Sequence, residues 1–202
     1  MHRNKINLNG YSLDPVTDFT VFAGFSCGHE DLDDFLHNDA QKHSEQLLAV
    51  SYSLCLENGT TPLAFASLLN DSAKMNRAFR RRMPRICQYS VSPAVKIGRF
   101  GVRVEAKGQG VGRDFMDCIK TLFLTDNRTG CRLITVDAYA EATGFYQQCG
   151  FQCFNDDDAG EATPPWRVSN LLCNRFSVNG IRQALARALR VGPHHAPALQ
   201  GP

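Results

Sequence analysis

Residues 94–112 read AVKIGRFGVRVEAKGQGVG, and this stretch decides how the chain folds. Apolar residues occupy alternate positions in two sets of opposite parity: Val95 and Ile97, then Phe100, Val102 and Val104. The alternation slips by one residue near Gly98 and Arg99. Such a slip is typical of a β-bulge, which turns the following side chains to the opposite face and disturbs pairing with a neighbouring strand. Two short strands account for the same pattern equally well.

Three glycines, Gly108, Gly110 and Gly112, separate this strand from a helical pattern. The apolar residues of that helix recur every three or four positions, at Val111, Phe115, Ile119, Leu122 and Phe123. Glycines let the backbone approach a ligand closely, and they expose NH groups at the positive end of the helix dipole. The turn is therefore predicted to cradle a phosphate, with Lys107 and Arg113 adding charge at its edges. A glycine-rich turn without a ligand is the alternative.

The spacing of the glycines argues against two common phosphate-binding motifs. A P-loop needs Gly-x-x-x-x-Gly-Lys, which the chain does not contain. The dinucleotide fingerprint spaces its glycines by two and three residues, whereas positions 108, 110 and 112 are spaced by two and two. A different phosphate ligand is therefore expected.

Periodicity predicts further elements on both sides of this region. They are a helix over 31–48, a hairpin of strands over 50–56 and 63–69 that turns at Asn58-Gly59, a buried strand over 133–138 and a short helix over 141–149. The strand over 133–138 follows a strand, the glycine turn and a helix. These parts are expected to form a right-handed parallel βαβ unit.

Composition and charge narrow the class of protein. The chain has 202 residues, of which 43% are apolar, enough to fill an ordinary core. No apolar run reaches the roughly 18 residues that a membrane-spanning helix needs, and polar residues interrupt residues 6–10, where an export signal would be apolar. We therefore expect a cytoplasmic protein that does not enter the membrane.

The eight cysteines are too dilute for a disulfide scaffold, and none forms a Cys-x-x-Cys pair. We expect them to be reduced and mostly buried. Cys149 and Cys153 have no histidine nearby, which argues against a zinc site or any other metal site there.

The net charge of +2 is unevenly distributed, because residues 162–202 hold five arginines and no acid, which leaves −3 over residues 1–161. Wrapping of nucleic acid by the whole protein is therefore not implied, although a local basic patch can still bind phosphates. Six basic residues occur over 74–85, among them Arg77, Arg80 and Arg81. This segment is either a solvated amphipathic helix or a surface for an anionic substrate.

Three segments together resemble the GNAT family of N-acetyltransferases: residues 97–102, 107–112 and 141–151. In that family the loop reads Arg/Gln-x-x-Gly-x-Gly/Ala and binds the pyrophosphate of acetyl-CoA. Here Lys107 stands where Arg or Gln is usual, and Gly110 and Gly112 match. The resemblance implies an α/β fold whose mixed, mostly antiparallel sheet has a central parallel βαβ unit and is flanked by helices.

The resemblance also implies the acetyl-CoA site, because family members splay two parallel strands and insert the pantetheine arm between them. The residues that would hold acetyl-CoA are Phe100, Gly101, Val102, Lys107, Gly108, Gln109, Gly110, Val111, Gly112 and Arg113. A backbone NH of the strand would bind the thioester carbonyl and stabilise the oxyanion.

Tyr146 corresponds to the tyrosine that commonly protonates the departing CoA thiolate in this family, as a general acid. A tyrosine packed in the core is the alternative. The resemblance further implies direct transfer of the acetyl group to an amine, without a covalent enzyme intermediate. It identifies no general base, since nothing in the spacing places Glu105 or His43 beside the substrate amine.

Within the family, Phe25-Ser26-Cys27-Gly28 followed by Leu32-Asp33-Asp34-Phe35-Leu36 resembles the toxin-type branch. That branch acetylates the amino group of aminoacyl-tRNA and pairs with a small DNA-binding antitoxin, and Arg77, Arg80 and Arg81 would suit the tRNA backbone. Two alternatives stay open: acetylation of a small-molecule or protein amine, and a CoA-binding module without activity. Whether the protein forms a homodimer is also open.

The resemblance covers about residues 19–160 and predicts an acetyltransferase domain over 1–160 with an atypical tail over 161–202. Family members continue with a final strand, whereas this chain gives Pro164-Pro165-Trp166 and a tail rich in Arg, Ala and Pro. An altered reading frame is one hypothesis for this shift, which sequencing of the source gene would test. If the final strand is missing, residues 171–173 or a helix over 181–189 would cover the exposed sheet edge.

Overall fold

The computed structural model describes residues 6–74, 77–81, 89–125, 130–154 and 170–173. These residues build a mixed α/β fold around one sheet. Its strands are β1 (Ile6–Leu8), β2 (Tyr11–Pro15), β3 (Val50–Leu56), β4 (Ala64–Lys74), β5 (Val91–Val102), β6 (Leu133–Asp137), β7 (Phe151–Phe154) and β8 (Asn170–Cys173). The spatial order is β1-β2-β3-β4-β5-β6-β8-β7.

The helices are α1 (Glu30–Asp34), α2 (Ala40–Glu45), α3 (Arg77–Arg80), α4 (Val111–Thr125) and α5 (Thr143–Gln148). A π-helical turn, Phe35–Asp39, joins α1 to α2, so the predicted helix over 31–48 is present but interrupted. Acidic residues in the first turn of α1 suit the positive end of the helix dipole there. Within the described residues, no helix is long and apolar enough to span a bilayer.

One pair of neighbouring strands is parallel, and it lies at the centre of the sheet. β5 and β6 run in the same direction, whereas the other neighbours in the sheet are antiparallel. The chain passes from β5 to β6 through the glycine turn and α4. The parallel βαβ unit and the mostly antiparallel sheet expected from the sequence are therefore confirmed.

The slip in the sequence pattern is a β-bulge within one continuous strand. Ser67 of β4 pairs with Arg99 of β5, but the next residue, Leu68, pairs with Ile97. Gly98 is therefore the extra residue on β5. The alternative of two short strands is wrong, because β5 runs unbroken through this point and stays paired with β4 on both sides of it.

The parallel pairing ends where the bulge begins. β6 pairs with β5 only from Ala94 to Ile97, whereas β5 continues to Val102 along β4. Beyond Ile97 no strand among the described residues pairs with the edge of β5 that faces away from β4. The two parallel strands thus part and leave a gap between them.

Two hydrophobic clusters cover the sheet. One is built from α4 and the sheet, with Phe115 and Ile119 of the helix fully buried together with Ile97 and Val136 of the strands. In the other, Phe22, Phe25 and Phe65 pack edge to face with ring centroids 5.6–6.0 Å apart. Offset and edge-to-face aromatic packing of this kind fixes side-chain orientation as well as burying area. The second cluster therefore holds the front segment against the sheet.

The cysteines that the structure describes carry free thiols, as expected. Cys27, Cys118, Cys131 and Cys149 are buried and Cys55 is partly exposed.

The tail supplies a strand. β8 lies between β6 and β7 and is antiparallel to both, so residues 170–173 cover the β6 edge, as one of the two expected alternatives has it. The proposed helix over 181–189 lies outside the described residues. The domain boundary at residue 160 stays a prediction.

Gly101 is predicted to be essential for packing of β5 against the second cluster. An added Cβ would lie 2.6 Å from Cε1 of Phe65 and 3.2 Å from Cβ of Cys27. We expect Gly101→Ala to lower the free energy of unfolding by about 1–3 kcal/mol, the usual cost of overpacking a core. The matched control is Gly144→Ala in α5, where an added Cβ meets no atom within 4 Å. Urea denaturation measures both, and equal stability of the two variants would contradict the prediction.

Candidate active site

A cavity of about 740 Å³ opens where β5 and β6 part. Its walls come from β5 around the bulge, the glycine turn, the end of β6 and α5. The parting of the strands therefore creates the space, and the elements on either side of it supply the side chains.

The glycine turn presents its backbone to this cavity. Gly108 and Gly110 have φ of +76° and +84°, and an added Cβ at either position would meet no atom within 4 Å. Residues other than glycine rarely adopt a positive φ, so the backbone conformation of the turn requires glycine at both positions. The absence of side chains there also leaves the backbone of the turn uncovered. The NH groups of Arg113 and Asp114 bond to the carbonyl of Gly110 and start α4. The first amides of the helix have no acceptor within it and suit an anion.

Backbone NH groups of β5 point into the gap. The NH of Arg103 donates to the carbonyl of Leu63, next to β4, at 2.8 Å. Backbone groups alternate along a strand, so the NH of Gly101 also faces β4, while those of Phe100 and Val102 face the gap. An NH group at this edge is a suitable donor to an oxyanion.

Tyr146 of α5 lines the cavity and is 6% exposed. Its ring packs edge to face against Phe145 and Phe151, with centroids 5.1 and 5.5 Å away. Burial, with a smaller contribution from the Cys149 thiol, raises the pKa of Tyr146 above its usual value. The phenol therefore keeps its proton at neutral pH. The tyrosine is thus part of the core and of the cavity wall at the same time.

Eight of the ten predicted acetyl-CoA residues line the cavity: Phe100, Gly101, Val102, Lys107, Gly108, Gly110, Gly112 and Arg113. Gln109 and Val111 do not. The amide of Gln109 folds back to donate to the carbonyl of Glu105 at 2.8 Å, and Val111 faces the core with 3% exposure. The side chains at these two positions therefore do not contribute to the cavity wall.

The predicted tRNA-contacting residues Arg77, Arg80 and Arg81 do not line the cavity. Arg77 and Arg80 belong to α3, which follows the end of β4 that pairs with the beginning of β5, at Lys74 and Val91. Their role stays a prediction about a surface outside the cavity. Neither Glu105 nor His43 lines the cavity, and the imidazole of His43 packs against Phe35 with centroids 5.2 Å apart.

Sequence reasoning missed a second wall of the cavity. It is formed by residues of the front segment and by residues at the ends of the two parting strands: Cys27, His29, Leu32, Arg99, Asp137, Tyr139 and Glu141. The motif around residues 25–36 was the one sequence feature that pointed to this segment, but it does not predict which of its side chains face the cavity.

Asp33 fixes the front segment beside the cavity. Its Oδ1 accepts from the NH of Cys27 at 2.7 Å, and its Oδ2 accepts from Ser26 Oγ at 2.6 Å and from the NH of Gly28 at 3.2 Å. Partial burial opposes the charge, but these hydrogen bonds together lower the pKa of Asp33 below its usual value.

The Cys27 thiol lines the cavity but is poorly suited to act as a nucleophile. Burial, together with its hydrogen bond to Asp33, raises the pKa of Cys27 to about 11. The thiolate is the reactive form, so at neutral pH this cysteine is a protonated, unreactive group.

Asp33→Asn is predicted to destabilise the protein at neutral pH, because an amide loses the charge that the three donors stabilise. A carboxyl with a lowered folded-state pKa contributes stability above its unfolded pKa and loses it as the pH falls through the folded value. The difference in thermal midpoint between wild type and variant should be constant down to about pH 4 and shrink below that. Asp34→Asn, whose carboxylate accepts from Asn38 at 2.7 Å, is the control and should have a smaller effect. A difference that persists unchanged in acid would contradict this account.

Solved structures share this fold. AtaT complexed with acetyl-methionyl-tRNAfMet superposes with a TM-score of 0.64 at 18% identity, over 87% of this chain and 99% of that chain. A tyrosine-to-phenylalanine mutant of KacT gives 0.63 at 21% identity, over 87% of this chain and 99% of that chain. Such a mutant of AtaT, bound to the C-terminus of the antitoxin AtaR and acetyl-CoA, gives 0.61 at 18% identity, over 87% and 98%. At these identities the likeness establishes the fold.

The sequence itself matches a known domain family over the part of the chain that forms the site. Residues 59–153 match the acetyltransferase (GNAT) domain, and this stretch contains β5, the glycine turn, α4 and Tyr146. The family expected from the three sequence segments is confirmed, together with its fold. Residues 59–153 therefore correspond to the acetyltransferase (GNAT) domain.

Proposed function

We propose that the protein is an acetyl-CoA-dependent N-acetyltransferase whose acceptor is the amino group of aminoacyl-tRNA. One observation carries the acetyl-CoA part: a single cavity joins the glycine turn, the unpaired edge of β5 and the phenol of Tyr146. An anion site, a hydrogen-bonding edge and a proton donor are the three things that this transfer needs.

The glycine turn holds the diphosphate of acetyl-CoA. Its amides lie at the beginning of α4, where the helix dipole favours negative charge. Lys107 and Arg113 flank the turn, and the Arg113 guanidinium is held by a hydrogen bond of 3.3 Å to Gln148. The pantetheine arm then runs along the open edge of β5, where its amide groups replace the missing strand.

The transfer is direct. The free amine attacks the thioester carbonyl, and the NH of Phe100 or Val102 stabilises the developing oxyanion. The new C–N bond forms, the C–S bond breaks, and the amine releases a proton to solvent. Tyr146 gives its proton to the departing sulfur, so CoA leaves as a thiol. Desolvation in the cavity raises the pKa of a thiolate as it does that of the phenol, which keeps this proton transfer feasible.

The acceptor assignment rests on a separate set of observations. The front segment around residues 25–36 resembles that of toxin-type acetyltransferases, and the fold is shared with AtaT, which has been solved with acetyl-methionyl-tRNAfMet and with the antitoxin AtaR. On this proposal Arg77, Arg80 and Arg81 contact the tRNA backbone outside the cavity. A small antitoxin protein is the proposed partner, and the cytoplasm is the proposed location.

The acceptor is tested by acetyl transfer from labelled acetyl-CoA to aminoacyl-tRNA, with uncharged tRNA, free amino acids, polyamines and a peptide as alternative acceptors. Label on the charged tRNA alone is the expected result. Transfer to small amines or the peptide alone would remove the tRNA proposal and leave the acetyltransferase. Binding of acetyl-CoA without transfer to any acceptor would favour an inactive CoA-binding module.

Tyr146→Phe is predicted to lower kcat by roughly 10²–10⁴-fold, the usual contribution of general acid–base catalysis, with the KM for acetyl-CoA little changed. Tyr11→Phe is the matched control, because Tyr11 is also 6% exposed in the same cluster but does not line the cavity. Steady-state kinetics measure both variants. Full activity of Tyr146→Phe would remove the assignment of the acid.

Gly110→Ala is predicted to weaken acetyl-CoA binding, because alanine at φ of +84° strains the turn that the diphosphate needs. The strain of about 1–3 kcal/mol corresponds to roughly 5- to 150-fold in Kd. Gly10→Ala is the control, since Gly10 has φ of +80° in the turn between β1 and β2, outside the cavity. Calorimetric titration should show normal affinity for the control. Equal affinities of both variants would contradict the role of the turn.

A further inference from the structure

Side chains alternate between the two faces along β5, and the bulge at Gly98 sets which face each residue beyond it takes. Phe100 lies on the face of α4, where its ring stacks on Phe115 with centroids 5.1 Å apart. Arg99 lies on the other face, with its guanidinium 4.9 Å above the ring of Phe35. The glycine turn begins α4, so acetyl-CoA enters from the Phe100 face. The acceptor is then expected to approach from the Arg99 face.

Three side chains on that side, His29, Arg99 and Tyr139, line the cavity and have no part in the chemistry described above. We call them the acceptor wall. The rings of His29 and Tyr139 lie 4.9 Å apart at an angle of 31°. The Tyr139 hydroxyl donates to Asp31 Oδ2 at 3.4 Å, which limits rotation of the ring. Even so, 38% of Tyr139 remains exposed.

Two polar groups of the acceptor wall are only partly satisfied by the described residues. Within the described part of the chain, no carboxylate forms an ion pair with Arg99, whose Nη1 donates to the carbonyl of Gly98 at 2.9 Å. Asp137, which also lines the cavity, pairs with Lys96. Nδ1 of His29 is buried and has no hydrogen-bond partner among the described residues.

We propose that the acceptor wall binds the terminal nucleotide of aminoacyl-tRNA, with the base stacked on the Tyr139–His29 pair and a phosphate held by Arg99. This inference rests on the proposed function and names the part of the aminoacyl-tRNA that the cavity recognises. An exposed aromatic ring beside an unpaired guanidinium is the combination that recognises splayed single-stranded nucleotides. A small amine has neither a base nor a phosphate and makes no use of it.

The test compares two acceptors that carry the same amino acid. One is an aminoacyl-adenosine analogue with a stable amide link and a free α-amine, and the other is the amino acid amide without a nucleoside. Wild type should prefer the nucleoside acceptor through a lower KM. Tyr139→Leu should raise that KM by roughly 5- to 150-fold, the usual loss of a stacked base. It should leave unchanged the KM for the amide and for acetyl-CoA.

Tyr89→Leu is the matched control, since Tyr89 is 67% exposed and does not line the cavity. Tyr139→Phe separates stacking from structure: it keeps the ring and loses the bond to Asp31, so the KM for the nucleoside acceptor should stay near wild type. Arg99→Gln should raise the KM for charged tRNA more than that for the adenosine analogue, because the analogue lacks the phosphate.

The proposed function and the acceptor wall can be disproved separately. If wild type acetylates other amines but neither charged tRNA nor the adenosine analogue, the proposed function falls and takes this inference with it. If wild type acetylates charged tRNA while Tyr139→Leu and Arg99→Gln keep their KM values for it, only the acceptor wall is overturned. A KM increase in Tyr139→Phe equal to that in Tyr139→Leu would also overturn stacking.

Discussion

The structure depends on the point at which β5 loses β6 as a partner. The parallel ladder ends at Ile97, while β4 holds β5 in an extended conformation as far as Val102. Backbone groups along the released edge lack a strand to bond, and an unpaired edge recruits an extended polar chain. The cavity is the gap that results. The glycine turn follows the same strand and lines the gap, which is why we propose that it holds the diphosphate of a ligand whose arm enters there.

The bulge at Gly98 also determines which side chains of β5 lie on each face of the sheet. It places Phe100 and Val102 towards α4, and Arg99 towards α1 and the π-helical turn. On the proposed function, one strand contributes a wall for the acetyl donor and a wall for the acceptor. The two walls meet at the edge of β5, where a backbone NH would donate a hydrogen bond to the carbonyl of the thioester. Tyr146 stands in the same cavity with its proton retained by burial.

Local features were predictable from the sequence, and features made by distant segments were not. The glycine turn and the helical spacing after it are set within a few residues, so the beginning of α4 and the parallel β6 followed directly. The parity slip allowed two interpretations, and the pairing of β5 with β4 decided for the bulge. The acceptor wall brings His29 beside Tyr139, more than a hundred positions apart, through the sheet alone. Residues 170–173 become β8, which pairs with β6, whereas the sequence left this segment as one of two candidates for that edge.

The most direct measurement is a crystal structure with a non-reactive acetyl-CoA analogue. The account predicts the diphosphate against the amides of residues 108–112, the pantetheine arm between β5 and β6, and the carbonyl oxygen within hydrogen-bond distance of the NH of Phe100 or Val102. A ligand bound away from the glycine turn, or a gap closed by side chains with the analogue excluded, would contradict it.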